Sequence, residues 1–198
     1  KCLLINDQSL RKINKNAIFE FINHNTISGN KTSFSNIYQI MPGTIMRINN
    51  NGIIKTDKYW DLNYNISYDN LNNAIDDFHS LFDDCISERL IADVPVGLLL
   101  SGGIDSCAIA SKIKNKDIST YTIRFDDSWK DEGSFAKIMA NQMGSNHNEI
   151  YFNIDDVFDL MPKLVWHYEQ PFHDSSALPT FFINKVASKD VKVLLNGD

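Results

Sequence analysis

Strand-like and helix-like segments alternate over the second half of the chain, and this alternation limits the fold more than any other feature. Short apolar runs typical of buried strands are separated by stretches with apolar residues at helical spacing. The predicted strands lie near 96–100, 120–125, 147–152 and 191–195, and the predicted helices near 105–114, 133–143, 155–167 and 178–189. This order is typical of an α/β domain with a mostly parallel sheet flanked by helices. Ligands of such sheets bind at the carboxyl ends of the strands.

The first part of the chain has a different pattern. Two segments with alternating apolar residues, 44–48 and 53–59, flank the turn sequence NNNG and predict a β-hairpin. Before them, residues 17–22 have the apolar spacing of a helix. We interpret residues 1–64 as part of an α+β domain.

A composition change near 62–70 is the best candidate for a linker between two domains. It is followed by a helical pattern over 71–91, for which Asp69 or Asn70 is the predicted cap. The second domain is therefore assigned to residues 65–198.

Charge and cysteine content argue against several classes of protein. The chain has 198 residues and a net charge of −6, with Lys and Arg scattered, so we expect no nucleic-acid partner. It shows neither an apolar run of membrane-spanning length nor a secretion signal, so we expect a cytoplasmic protein without membrane contacts. Its three cysteines are far apart and form no CxxC pair, which argues against a disulfide framework or a zinc site. The chain begins at Lys1 and ends in a strand-like run, and we interpret it as a piece of a longer protein.

The sequence LLLSGGIDS, residues 98–106, joins the first strand of the α/β pattern to the helix that follows. Gly102 and Gly103 carry no side chain where the backbone turns, which leaves amide groups uncovered beside the positive end of a helix. Ser101 and Ser106 add hydroxyl groups. The loop is therefore predicted to bind a phosphate group.

Asp105 lies inside this predicted phosphate site. The loop lacks the long glycine-rich span and the lysine of a Walker loop. Because a carboxylate repels phosphate unless a divalent cation lies between them, Asp105 is predicted to contact Mg²⁺. From the residues alone, a plain helix-initiating turn with Asp105 as its cap is the alternative.

Several ordered segments resemble the asparagine synthetase family. VPVGLLLSGGIDSCAIAS (94–111) closely resembles the family's pyrophosphatase-type ATP-binding loop, Ser-Gly-Gly-x-Asp-Ser. IYQIMPGTIMRI and KYWDL resemble the end of its glutaminase domain, and EQPFHDSSALPTFFINKVASKDVKVLLNGD resembles the approach to its second nucleotide loop. The resemblance covers essentially the whole chain. It implies an adenine-nucleotide alpha-hydrolase-like fold, preceded by the remnant of a glutamine amidotransferase domain.

This resemblance implies an ATP-dependent ligase of the glutamine-hydrolysing asparagine synthetase type. ATP would activate the side-chain carboxylate of aspartate as an adenylate and release pyrophosphate, and ammonia from glutamine would then give asparagine. The implied cofactors are ATP and Mg²⁺, the implied partners are these small molecules, and the full-length protein is a candidate homodimer. The alternatives are a relative that acts on another carboxylate, as in β-lactam or peptide cyclisation, a different ATP pyrophosphatase, and a non-catalytic nucleotide-binding module.

The resemblance also implies roles for the residues of the loop. Ser101, Gly102, Gly103 and Ser106 would hold pyrophosphate through amides and hydroxyls, and Asp105 would hold Mg²⁺. We therefore expect Asp105, Ser101 and Ser106 to be the catalytic residues.

Further nucleotide contacts are implied outside the loop. Leu100 and Ile123 fall where the family lines its nucleotide pocket. Asn196 and Gly197 match the family's second nucleotide loop, with Asn in place of the usual Ser, and Asp198 matches the acidic residue after it. Asp198 is thus a second candidate ligand of Mg²⁺.

The resemblance also has implications for the remaining acidic residues and for the cysteine nucleophile of the family. Glu169 and Asp174 are candidates for binding substrate, whereas Asp131 and Glu132 resemble an acidic pair of the family but are interpreted as surface-turn residues. The family's glutaminase uses a cysteine that becomes the first residue of the chain. Cys2 follows Lys1 in KCLLIND and does not match that motif, so this chain is predicted to lack glutaminase activity.

Overall fold

The computed structural model describes residues 1–64, 67–68, 70–113, 117–125 and 132–197. The chain divides into two compact units, the first formed by Lys1–Ser67 with Val165–Asp174 and the second by Tyr68–Leu164 with Ser175–Asp198. None of the described helices is long and apolar enough to cross a membrane.

The first unit contains short helices and one hairpin. Its elements are α1 (Cys2–Asn6), a 3₁₀ turn (Gln8–Arg11), α2 (Lys15–His24), β1 (Thr44–Asn49) and β2 (Gly52–Lys58). β1 and β2 pair antiparallel, with one irregularity between Arg47 and Ile48, which confirms the predicted hairpin. α2 begins after Asn14, whose side-chain oxygen accepts a hydrogen bond from the amide of Ala17 at 3.2 Å.

The second unit contains the predicted alternation of strands and helices. Its elements are α3 (Leu71–Arg89), β3 (Val96–Leu99), α4 (Ile104–Lys112), β4 (Ser119–Arg124), α5 (Gly133–Met143), β5 (Asn146–Tyr151), α6 (Ile154–Tyr168, whose last turn belongs to the first unit), α7 (Ala177–Ala187) and β6 (Val193–Leu195). Each lies within two residues of its predicted bounds. The side chain of Asn70 caps α3 by accepting from the amide of Asn73 at 3.0 Å, while Asp69, the other candidate cap, lies outside the described residues.

The four strands of the second unit form one parallel sheet in the order β5-β4-β3-β6. This confirms the α/β fold with a parallel sheet flanked by helices. Both faces of the sheet are covered, as parallel sheets require. Leu98 and Leu100 pack with side chains of α3, α4 and α5 on one face, and Tyr121 packs against Ile183 and Ala187 of α7 on the other.

Successive strands are added first on one side of β3 and then on its other side. From β3 the chain moves outward through β4 to β5, and it then returns to the opposite side of β3 to form β6. The segments that leave β3 and β6 therefore start side by side at the carboxyl edge of the sheet. Such a topological switch point leaves a crevice between the two loops, which is where open α/β sheets bind ligands.

Candidate functional site

A cavity of about 340 Å³ lies at this crevice, wholly within the second unit. Most of the residues that the sequence marks as candidates line it together: Leu100, Ser101, Gly103, Asp105, Ser106, Ile123, Asn196 and Gly197. They come from the ends of three different strands and the helix after one of them. The fold thus gathers residues that are far apart in the sequence.

The two serine hydroxyls of the glycine-rich loop contact each other. Ser101 Oγ lies 2.9 Å from Ser106 Oγ and accepts a hydrogen bond from the amide of Gly103 at 3.2 Å. Ser106 Oγ also lies within hydrogen-bond distance of the Gly103 carbonyl, at 3.2 Å, and accepts from the amide of Ser101 at 3.3 Å. Ser106 is buried and Ser101 is exposed. Ser106 therefore holds the loop in shape, and Ser101 presents its hydroxyl at the cavity wall.

Gly102 faces α5 rather than the cavity. Its φ of +84° lies in the left-handed region, which side chains disfavour. A Cβ atom there would also lie 2.7 Å from the carbonyl oxygen of Glu132 and 2.9 Å from the amide nitrogen of Ala136. Glycine at this position therefore allows both the turn and the close packing of the loop on the first turn of α5.

Asp105 occupies the first turn of α4. The helix begins at Ile104, and the residue at its N-cap position is Gly103, which makes no side-chain cap. The alternative interpretation of Asp105 as the helix cap is therefore wrong. The Asp105 side chain lines the cavity beside the positive end of the helix dipole, where a carboxylate is favoured.

The segment after β6 packs directly on this helix start. A Cβ atom on Gly197 would lie 3.0 Å from both Cβ of Asp105 and the amide nitrogen of Ser106. This close approach brings Asn196 and Gly197 to the same cavity as the first loop. Asp198, the second candidate ligand of Mg²⁺, lies outside the described residues.

The cavity also has apolar lining residues, and sequence reasoning found only Leu100 and Ile123 among them. The further apolar lining residues are Leu99, Tyr121, Phe125, Pro179 and Ile183. Tyr121, Ile123 and Phe125 are two residues apart, so strand periodicity could have placed them on one face. The α7 residues carried no such signal, because they are close to β4 only through the fold.

The remaining acidic candidates differ in where the structure places them. Glu132 is an exposed turn residue, as interpreted from the sequence, and it also lines the cavity; Asp131 lies outside the described residues. Glu169 and Asp174 belong to the first unit, where Glu169 Oε2 accepts a hydrogen bond from the Lys1 amino group at 2.6 Å.

The fold and this cavity define a class: a parallel α/β domain whose topological switch point carries a cavity lined by a glycine-rich loop at the amino end of a helix. The family profile described as "Asparagine synthase" matches residues 77–198, more than half of the chain. The chain therefore belongs to the asparagine synthase family.

Curated relatives agree with this assignment. "Asparagine synthetase (glutamine-hydrolyzing) 1" of Bacillus subtilis is 27% identical over 94% of this chain and 30% of its own length. "Putative asparagine synthetase (glutamine-hydrolyzing) 2" of Methanocaldococcus jannaschii is 35% identical over 71% of this chain and 28% of its own length. "Amidase chyE" of Penicillium rubens is 27% identical over 85% of this chain and 28% of its own length. The chain thus spans less than a third of the length of these relatives.

Proposed function

We propose that this chain carries the ATP-binding part of an enzyme that activates a carboxylate by adenylation and converts it to an amide, with aspartate as the carboxylate and asparagine as the product. The observation that carries the proposal is the loop of residues 101–106, which opens into the same cavity as Asn196 and Gly197. Family membership supports the same chemistry.

The chemistry requires that pyrophosphate leave as a unit. An oxygen of the substrate carboxylate forms a bond to the α-phosphorus of ATP, and the bond from that phosphorus to the bridging oxygen breaks. Amide groups of the loop and the hydroxyl of Ser101 bind the β- and γ-phosphates at the amino end of α4, where the helix dipole favours anions. The fixed donors stabilise the charge that develops on the leaving group. Attack of ammonia on the adenylate carbonyl then releases AMP.

The lining of the cavity contains groups that suit both parts of ATP. We assign Ser101, Gly103, Asp105 and Ser106 to the phosphates. Leu100 and Ile123 are assigned to the adenine base. Asn196 and Gly197 are assigned to the nucleotide because they close the cavity over the start of α4.

The donor set fits a magnesium ion that arrives with the nucleotide. Mg²⁺ is commonly held by one or two carboxylates together with substrate phosphates and water. Asp105 offers such a carboxylate in the lining of the cavity, and Asp198 is proposed as the second. When bound, the ion would neutralise the charge of the leaving pyrophosphate.

Glu169 and Asp174 are proposed to bind the ammonium group of the amino-acid substrate. Their carboxylates have the charge that this role requires. Replacing either with its amide is expected to raise the KM for aspartate more than the KM for ATP.

The test is isotope exchange between labelled pyrophosphate and ATP, measured with the intact protein that carries this chain. Adenylation is reversible, so exchange is expected only when the correct carboxylate is present. Exchange that depends on aspartate supports the proposal. If ATP binds but no exchange occurs with aspartate or with any other carboxylate supplied, the adenylation proposal is wrong.

A related enzyme that acts on another carboxylate is the second candidate. It is favoured by the similarity to a relative named as an amidase rather than as an asparagine synthetase. Exchange that another amino acid or peptide acid supports, and aspartate does not, identifies this case. A non-catalytic module would bind ATP without any exchange.

A further inference from the structure

We propose that Thr122 is a positioning residue for the glycine-rich loop, because its hydroxyl fixes the peptide plane from which the loop departs. Thr122 lies on β4, the strand next to the one that ends at the loop. The inference rests on the proposed function, since it takes the loop to be the phosphate site.

Leu100 is held by β4 on both sides of its backbone. Its amide donates to the carbonyl of Tyr121 at 2.9 Å, which extends the parallel ladder by one bond beyond β3. Its carbonyl accepts a hydrogen bond from the hydroxyl of Thr122. The backbone of Leu100 is therefore fixed to its neighbouring strand at the last residue before the loop.

The peptide group that joins Leu100 to Ser101 is bonded at both ends. Its carbonyl accepts from Thr122, and its amide, that of Ser101, donates to Ser106 Oγ at 3.3 Å. Because a peptide group is planar, fixing the carbonyl direction also fixes the amide direction. Ser106 Oγ then contacts the Gly103 carbonyl at 3.2 Å, so the path continues into the loop. Thr122 is the starting point of this path.

Burial makes the hydroxyl difficult to replace. Thr122 is 3% exposed and Leu100 is 1% exposed, so water cannot easily serve the Leu100 carbonyl if the hydroxyl is lost. Valine has the shape of threonine without the hydroxyl. A Thr122→Val substitution therefore removes the hydrogen bond and keeps the packing volume.

The same strand offers a matched control. Thr120 is fully buried two residues away, on the same face of β4, and its hydroxyl contacts Ser145 Oγ at 3.0 Å and His147 Nδ1 at 2.9 Å instead of the loop. Thr120→Val thus removes an equally buried hydroxyl on a path that does not reach the phosphate site. Thr122→Ser keeps the hydroxyl and loses only a methyl group.

The experiment measures ATP affinity, pyrophosphate exchange, urea unfolding and hydrogen exchange of the loop amides in the intact protein. Thr122→Val is expected to weaken ATP binding roughly 3- to 10-fold, the range that one lost hydrogen bond gives, and to speed exchange of the loop amides. Thr120→Val is expected to lower the free energy of unfolding by about as much as Thr122→Val does. Its ATP affinity is expected to stay within about 2-fold of that of the unmodified protein. Thr122→Ser is expected to restore affinity.

Equal loss of ATP affinity in Thr122→Val and Thr120→Val would overturn the inference, as would failure of Thr122→Ser to restore it. If Thr122→Val binds ATP normally while the unmodified protein binds and exchanges, Thr122 has no positioning role and the proposed function stands. If the unmodified protein binds no ATP, the proposed function fails. Loop-amide exchange then decides the role of Thr122, which is refuted if Thr122→Val leaves that exchange unchanged.

Discussion

Gly102 is restricted both by its backbone conformation and by the space around it. Gly102→Ala is expected to lower the free energy of unfolding by roughly 1–3 kcal/mol, because the left-handed backbone disfavours a side chain and the new methyl group would meet the backbone of α5. Urea unfolding of the variant measures this loss.

The neighbouring glycine provides the control. Gly103 has φ −71°, and a Cβ atom there would meet only the side-chain oxygen of Ser101, at 3.2 Å. Gly103→Ala is therefore expected to cost less than about 1 kcal/mol. A Gly102→Ala variant as stable as Gly103→Ala would show that α5 does not press on the loop.

Asp105 carries the charge of the proposed metal contact. Asp105→Asn is expected to reduce pyrophosphate exchange by roughly 10²-fold or more, because the neutral amide binds the cation weakly, whereas ATP binding without metal changes little. The control variant is Asp83→Asn. Asp83 lies on α3 and forms a surface ion pair with Lys112 of α4 at 2.7 Å, and its replacement should leave pyrophosphate exchange unchanged. Full exchange by Asp105→Asn would remove this residue from the mechanism.

Residues of the loop were predictable because turn and helix-end chemistry act locally. Gly102, Gly103 and Ser101 could be read from a short segment in which strand, turn and helix signals follow one another. Glu132 and the α7 wall were not predictable in this way, since only the packing of distant segments brings them to the cavity. The hydrogen bonds by which Ser106 holds the loop in shape also depend on distances that no spacing rule supplies.

At the level of elements, the alternation of strand-like and helix-like segments in the sequence predicted most of the fold of the second unit. Leu98 and Leu100 face one core and Leu99 faces the other, so a continuous apolar run correctly indicated a strand buried on both faces. The polar Thr120 and Thr122 occupy the same buried face of β4 and differ in their partners. Sequence reasoning could place these threonines on a strand but could not assign a hydrogen bond to either.

The amino ends of β4 and β5 hold a half-buried histidine whose protonation opposes folding. His147 Nδ1 lies 2.9 Å from Thr120 Oγ1, and among the described residues its buried Nε2 has no hydrogen-bond partner. Burial lowers the pKa of His147 below its usual 6.5; Lys137 and Arg124 lower this pKa further and Glu149 opposes them. The unfolded chain therefore binds the proton more readily, and the stabilisation present above pH ~6.5 is lost as the pH falls below that value.

We expect the free energy of unfolding to fall more in the unmodified protein than in a His147→Gln variant when the pH is lowered from about 7.5 to about 5.5. Histidine titrates in roughly this range. Urea unfolding at both pH values measures the difference. His79→Gln, on an exposed position of α3, is the control and should keep the full pH dependence. An identical pH dependence for His147→Gln and the unmodified protein would contradict the assignment.

At the scale of the whole chain, we expect different activities of the two units. The cavity at the glycine-rich loop lies in the second unit, while the first contains Cys2, the cysteine considered above as a glutaminase nucleophile. Cys2 is exposed in α1, and its nitrogen is the peptide amide that follows Lys1. A peptide amide is not basic, so it cannot activate the thiol as a free amino group would.

Incubation of this chain with glutamine is therefore expected to release no more glutamate than a Cys2→Ala variant releases. Glutamate measured over time with both proteins at equal concentration provides the test. Release by the unmodified chain above the variant would assign a nucleophilic role to Cys2 that its surroundings do not suggest.

The position of β6 in the sheet has a consequence for folding. Gly97 of β3 pairs with Leu194 of β6, so the cavity is complete only after a contact that spans about half of the chain. Contacts of such long sequence separation form slowly, because a large loop must close first. A nucleotide bound to the loops after β3 and β6 would favour the closed arrangement by mass action. The ATP of the proposed reaction would then have a second role, because its binding would also stabilise the pairing of β6, the shortest of the described strands.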